Sequence, residues 1–293
     1  MSGYHIYCLG LLLLTPAAAN AACEPSFSDS SNAVTLSPSG SLDNPQVSER
    51  FYVRLRNDGD SPCALRLSVS RDIGSSDVGF PSFTLTGPKG VVVVGSSAGA
   101  TTGLADSIKV DVPAGGQVAI PYDVRLNVGW GSEAGTYVQQ LVYALEHEPG
   151  TSDVPVQRTH LVLNVPSMAR IRFAGAHGGD GSSLLDMGLL SLDGPTYSPP
   201  FAIRVLSTAG YQMQLVSQNA GALVRIGGRE RIPYQLSVSG RPMNLAGGGD
   251  LISAAGHTSS SGDVHPVMIV VNADSTRHAG DYADRVTVTV TPI

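Results

Sequence analysis

Apolar and polar residues alternate with a period of two through much of the chain. Phe51-Tyr52-Val53-Arg54-Leu55, Leu65-Arg66-Leu67, Tyr137 to Glu146, Thr159 to Val165, Phe201-Ala202-Ile203-Arg204-Val205 and Val286-Thr287-Val288-Thr289-Val290-Thr291 all follow this pattern. Such spacing puts apolar side chains on one face of an extended segment and predicts half-buried β-strands. Runs of Gly, Pro, Ser, Asn and Asp separate the segments, as tight turns require. Composition agrees with that reading. The 293 residues include 34 Gly and 19 Pro, and only 14% are charged against 42% hydrophobic. A chain disordered by charge needs the opposite balance. Glu and Lys are too scarce for a long-helix protein, so the expected fold is all-β.

Residues 1–21 read as an export signal. Leu11 to Leu14 form a short apolar core, Thr15-Pro16 breaks it, and Ala19-Asn20-Ala21 fits the small-x-small cleavage rule. The run is too short for a membrane span, which needs about 20 apolar residues. Residues 1–10 carry no Lys or Arg, which departs from the usual signal pattern. A lipoprotein acylated at Cys23 is the competing reading, but Asn20 stands where a lipobox wants Leu. Removal of the signal takes Cys8 with it and leaves Cys23 and Cys63. In an oxidising compartment these read as one disulfide, and otherwise as two buried thiols. No Cys-x-x-Cys or His cluster points to a metal.

Short anchors recur in the same order in the two halves. Phe51 to Leu55 matches Phe201 to Val205, and Leu65-Arg66-Leu67 matches Met213-Gln214-Leu215. Ile120-Pro121-Tyr122 matches Ile232-Pro233-Tyr234, and Ala134-Gly135-Thr136-Tyr137 matches Ala279-Gly280-Asp281-Tyr282. Four anchors in order imply two related β-sandwiches of immunoglobulin-like type. They are expected over residues 22–166 and 167–293, with the boundary near Pro166-Ser167. Tyr122, Tyr137, Tyr234 and Tyr282 are read as packing residues. The first half continues past Tyr137 into two strands. The second continues from Tyr282 into one, Val286 to Thr291, after which the sequence ends at Ile293. The second sandwich is therefore expected to lack its last strand. Val286, Val288 and Val290 would then border an open apolar groove, an edge that another chain must cover. The alternative is that an early strand of the same half closes it.

Residues 201–293 resemble the spore coat protein U-like subunits of archaic chaperone–usher pili. The resemblance rests on Ile232 to Val238 and, above all, on Ala279-Gly280-Asp281-Tyr282-Ala283-Asp284-Arg285-Val286-Thr287-Val288-Thr289-Val290-Thr291. It covers about the last third of the chain. The family implies a pilin-like second sandwich whose groove takes a neighbour's strand. Its implied partners are a periplasmic chaperone, an outer-membrane usher and the next pilin, and its implied location is a surface fimbrium reached through the periplasm. Pilins of that family usually carry cysteines in the pilin domain, and here none follows residue 63. Their shaft subunits also open on an apolar donor extension, whereas Ala22 to Ser31 is polar. Two domains without a donor imply a tip subunit, with the first domain adhesive toward an unidentified receptor or surface. Its candidate contact loops are Asp77–Gly79, Gly87–Ala100 and Val128–Gly131; Trp130, the single tryptophan, is read as an exposed aromatic contact or else as packed against the sandwich, and the Val91–Val94 run as part of a loop or else as a buried strand. A self-contained secreted sandwich that binds carbohydrate or a surface without polymerising is the alternative.

Charge and motifs add exclusions. Residues 22–166 hold 15 acidic and 9 basic side chains, and residues 167–293 hold 9 of each. The net charge of −6 argues against nucleic acid as a partner. Gly95-Ser96-Ser97-Ala98-Gly99 fits the Gly-x-Ser-x-Gly pattern of hydrolases, but Ala100 to Leu104 is a poor helix start, so a loop is expected. Gly178 to Gly181 and Gly247 to Asp250 lack the spaced carboxylates of a calcium loop. No enzyme activity and no cofactor are expected.

Overall fold

The computed structural model describes residues 22–28, 33–38, 40–71, 79–92, 95–96, 107–147, 155–175, 177–178, 182–246 and 249–293. The expected export signal, Asp77 and Val78, and most of the Gly87–Ala100 segment beyond Val92 lie outside these residues. All regular structure among them is strand, as the alternation requires. The first half contributes β1 (Pro25–Phe27), β2 (Ala33–Leu36), β3 (Gln46–Asn57), β4 (Cys63–Arg71), β5 (Phe83–Gly87), β6 (Gly90–Val92), β7 (Gly95–Ser96), β8 (Ile108–Val112), β9 (Gln117–Asn127), β10 (Gly135–His147) and β11 (Val156–Val165). The second contributes β12 (Ala169–Ala174), β13 (His177–Gly178), β14 (Ser183–Leu184), β15 (Thr196–Tyr197), β16 (Phe201–Ser207), β17 (Tyr211–Ser217), β18 (Ala222–Arg225), β19 (Arg231–Val238), β20 (Arg241–Pro242), β21 (Asp250–Ala254), β22 (Asp263–Val271), β23 (Tyr282–Ala283) and β24 (Val286–Pro292).

Each half packs two sheets face to face. In the first, the order β1-β3-β9-β5-β6 faces β2-β11-β10-β4, with β7 and β8 on the outer edge of β4. In the second, β12-β16-β22-β19-β18-β23 faces β21-β17-β24. The inward faces form two cores. One is built from residues such as Leu55, Leu67, Val124, Leu141, Tyr143 and Leu161. The other is built from Ile203, Val205, Tyr211, Met213, Leu215 and Val238. The expected two-sandwich fold is thus present. Cys23 and Cys63 form a disulfide across a sequence separation of 40. Closing a loop of that size stabilises the domain by about 4 kcal/mol in the chain-entropy picture.

Strand pairing tests the internal repeat. β3 and β16 are equivalent, as are β4 and β17. The fourth anchor also holds, because Gly135 and Gly280 share φ values of 155° and 153°, a backbone region open chiefly to glycine. Two residues on, the Tyr137 hydroxyl donates to the Glu133 carbonyl at 2.8 Å and the Tyr282 hydroxyl to the His278 carbonyl at 2.8 Å. Both are tyrosine corners at the entrance to a strand. The third anchor fails. β3 pairs with β9, setting Tyr52 opposite Pro121, but β16 pairs with β22 and not with β19, setting Ala202 opposite Pro266. The counterpart of Ile120-Pro121-Tyr122 is therefore His265-Pro266-Val267. Ile232-Pro233-Tyr234 lies one strand further out, on β19.

Candidate functional site: an uncovered edge and its sister strand

β10 and β24 occupy the same place in the two sandwiches, each entered through its tyrosine corner. Counting from Tyr137 and Tyr282, Leu141, Tyr143 and Leu145 stand where Val286, Val288 and Val290 stand. The inner strand agrees as well, β4 beside β10 and β17 beside β24, with a register two residues off the Leu65–Leu67 and Met213–Leu215 match: Leu67 faces Leu145, whereas Leu215 faces Val288. The two strands differ on the other side. β10 is flanked by β11 over ten residue pairs, from Gly135↔Val165 to Ala144↔Val156. β24 has no strand partner there among the described residues.

Burial follows from that difference. Leu141, Tyr143 and Leu145 are 0%, 0% and 1% exposed. Val286, Val288 and Val290 are only partly buried, although they pack against the second core. The early strand that could have closed this edge, β12, pairs with β16 instead. It still approaches β24 across the gap, and it presents Ile171 and Phe173 to the same core. The outer edge of β24 is therefore unpaired among the described residues, with β12 close beside it.

A second deficit accompanies the first. In the first sandwich β2 follows β1 and lies parallel to β11, with Val34 and Leu36 buried. The chain between β12 and β16 holds the same place in the order, but it has no counterpart of β11 to lie on. There Leu184, Leu189, Leu192 and Tyr197 are exposed by 73, 98, 57 and 59%. Isolated exposed apolar residues are ordinary, but four in one short segment mark an unfilled surface.

The entrance of β24 is fixed by Asp284. Its carboxylate accepts from the Tyr234 hydroxyl at 2.6 Å, the Ser217 hydroxyl at 2.6 Å and the Asn219 amide at 3.1 Å. Burial, and then the Asp284 charge, push the Tyr234 phenol well above its ordinary value. Residues from β17, the turn after it, β19 and the start of β24 thus meet on one carboxylate. Asp284 lies within the 279–291 pattern, which by itself assigns it no role. A carboxylate two residues past a tyrosine corner, followed by a Val-Thr alternation, was the available signal.

Trp130 is a correction. It is 8% exposed, and its indole Nε1 donates to Asp43 Oδ1 at 3.0 Å. Arg170 and Arg172 of β12 also reach Asp43. Val128–Gly131 consequently faces the second sandwich and is no contact loop; a Cβ on Gly131 would meet the Ser260 amide at 3.1 Å. Gly79 lies beside Tyr137, at the same end. Of the valine run, Val91 is exposed by 68% on the short edge strand β6, whereas Val92 is partly buried against the first core. The end of the first sandwich away from the second is formed by 58–62 and 113–116. Buried Asn57 ties them together through bonds to the Ser61 and Pro113 carbonyls and the Gly59 amide.

Gly95–Ser96 of the hydrolase-like pattern lie in a short strand parallel to β4, and the rest of that pattern is outside the described residues. Asp250 is engaged by Arg241. Among the described residues, no three His, Cys, Asp or Glu side chains converge to hold a metal ion.

No protein-family model matches the chain, and no curated protein sequence matches it. Solved structures are similar at low identity. One is a chain of the CsuC–CsuE chaperone–tip adhesion subunit pre-assembly complex from archaic chaperone–usher Csu pili of Acinetobacter baumannii. It is 15% identical, with 92% of this chain and 99% of that chain covered and a TM-score of 0.47. The CFA/I adhesin CfaE of enterotoxigenic E. coli is 8% identical, with 90% and 93% covered and a TM-score of 0.39. The CupB6 tip adhesin of Pseudomonas aeruginosa is 11% identical, with 92% and 93% covered and a TM-score of 0.38.

Proposed function

We propose that the chain is a structural and adhesive subunit at the tip of an archaic-type chaperone–usher pilus, joined to the next subunit by donor-strand complementation at β24. One observation carries this reading: the same strand position is buried under β11 in the first sandwich and left half-covered in the second. An incoming strand would do for β24 what β11 does for β10. It would pair antiparallel with the open edge and set alternate apolar side chains into the groove, as Leu161, Leu163 and Val165 do in the sister. The occupant would be a periplasmic chaperone's strand before assembly and a neighbouring pilin's strand after it, the usher catalysing the exchange. The resemblance of residues 279–291 to spore coat protein U-like subunits supports the same assignment.

Tip position is supported by the use made of residues 23–28 and 33–36. Cys23 is tied to Cys63, and β1 and β2 are paired into the first sandwich, so these residues are committed at home and do not serve as a donor. Residues 22–166 would then be the adhesive domain and residues 167–293 the connector. The adhesive surface is assigned to the end of the first sandwich away from the connector, not to Trp130.

The test uses a peptide with the sequence of β11, Val156–Val165, added to the purified full chain. Binding, with a raised melting temperature and new amide protection at residues 286–291, is the expected result. Val288→Asp should abolish both effects, because seating the strand would bury an unpaired carboxylate, while the disulfide-closed first sandwich stays folded. A chain that is monomeric, fully protected and indifferent to the peptide would refute the proposal and favour a self-contained secreted sandwich.

A further inference from the structure

β12 faces two ways. Alternate side chains of a strand point to opposite faces. Ile171 and Phe173 pack toward the second core beside the groove. Arg170 and Arg172, on the other face, reach Asp43 in the turn between β2 and β3 of the first sandwich. Asp43 is the hub of the junction. It also accepts from Trp130 at 3.0 Å and from the Ser41 hydroxyl at 2.8 Å. A carboxylate has about four acceptor positions, and four donors occupy them here, two from each side of the junction.

The contacts around this hub join the halves closely. The Ala134 amide donates to the Thr208 carbonyl at 2.6 Å. The Thr208 hydroxyl donates to the Pro166 carbonyl at 2.7 Å, and the Met168 amide donates to the Thr208 hydroxyl at 2.9 Å. Thr208 is fully buried, and Leu206 packs into the core of the first sandwich. Among the described residues, β12 is the strand that both reaches the hub and lies beside β24; it is short and sits at the edge of its sheet.

We infer that the open edge of β24 and the junction are coupled through β12: a strand seated on that edge packs against Ile171 and Phe173, and thereby holds Arg170 and Arg172 on Asp43. The inference rests on the strand-accepting role proposed for the groove. In the unfilled state Ile171 and Phe173 pack against their own core, but β12 has no strand on its outer edge among the described residues, so it is freer to shift away from Asp43. In the filled state that freedom is removed, and the junction tightens without any new contact to the first sandwich. Coupling of this kind is reciprocal, so loosening the junction must weaken strand binding by the same factor. In an assembled fibre the adhesive sandwich would be held rigidly only once its connector has been engaged.

Trp130 makes the coupling measurable. It is the only tryptophan in the chain, it lies at the hub, and the β11 peptide contains no Trp or Tyr. Full-length protein is titrated with labelled peptide, binding is followed by anisotropy, and Trp130 is followed by emission maximum and acrylamide quenching. Binding should shift the emission to shorter wavelength and lower the quenching constant. Arg170→Ala/Arg172→Ala should red-shift free Trp130 and weaken peptide binding about fivefold or more. Asp43→Asn, nearly isosteric and still able to accept from the indole, should act in the same direction from the other side of the junction. Peptide that binds while Trp130 stays unchanged would overturn the coupling and leave the groove intact. Peptide that fails to bind would overturn both. Variants that bind peptide as tightly as the parent chain would also overturn it.

Discussion

Val288→Ala tests the groove most directly, because its cost should depend on whether the groove is filled. The substitution removes two methyl groups from the middle of β24 and leaves every backbone hydrogen bond available. In the unfilled chain Val288 is only partly buried, so about half of the roughly 0.8 kcal/mol per buried carbon applies, and stability should fall by about 1 kcal/mol. With a strand in place the position should resemble Tyr143, which is 0% exposed beneath β11. There the full transfer loss and a small cavity apply, about 2.5 kcal/mol in total. The difference of about 1.5 kcal/mol corresponds to roughly tenfold weaker binding of the β11 peptide. Thr287→Ala, one residue away on the outward face, should change affinity by less than about 0.5 kcal/mol. Anisotropy titration of both variants against the parent, with urea unfolding of each free chain, gives all the quantities needed. Equal effects at Val288 and Thr287, or unchanged binding by Val288→Ala, would show that this face does not contact the incoming strand.

Two further outcomes follow from the polar clusters. Asp284→Ala removes the acceptor for Tyr234, Ser217 and the Asn219 amide and should destabilise the second sandwich by about 2–4 kcal/mol. In a double-mutant cycle with Tyr234→Phe the two losses should be clearly less than additive; full additivity would deny the shared carboxylate. The junction should also weaken in acid. Hydrogen bonds from Trp130 and Ser41, together with the charges of Arg170 and Arg172, hold the Asp43 carboxyl below its ordinary 3.8. A depressed folded-state value means that the contribution is complete above about 3.8 and is lost as pH falls through the lower, folded value. Trp130 emission should therefore stay constant down to about pH 4 and red-shift below it, and Asp43→Asn should remove that transition.

The alternation of Val286 to Thr291 and of Tyr137 to Glu146 fixed which side chains face inward, since a strand turns each successive residue to the opposite face and burial follows the apolar set. Cys23 and Cys63, the only cysteines after the expected export signal, offered a single disulfide pairing, and the structure forms it. Tyr137 and Tyr282 marked equivalent strand entrances because a tyrosine corner is a local device whose bond spans four residues. Local periodicity could not say which strand lies beside which. Ile232-Pro233-Tyr234 mimics Ile120-Pro121-Tyr122 in letters, yet Pro266 holds the equivalent place, because strand order is set by packing over long sequence separations. Trp130 was ambiguous for the same reason. Flanking glycines suggested an exposed turn, but it packs into the core of the first sandwich and donates to Asp43, 87 residues earlier, and only the folded sandwich brings the two together. The half-covered state of Val288 likewise belongs to the tertiary structure: a strand's sequence states which face seeks cover, and its neighbours decide whether cover is there.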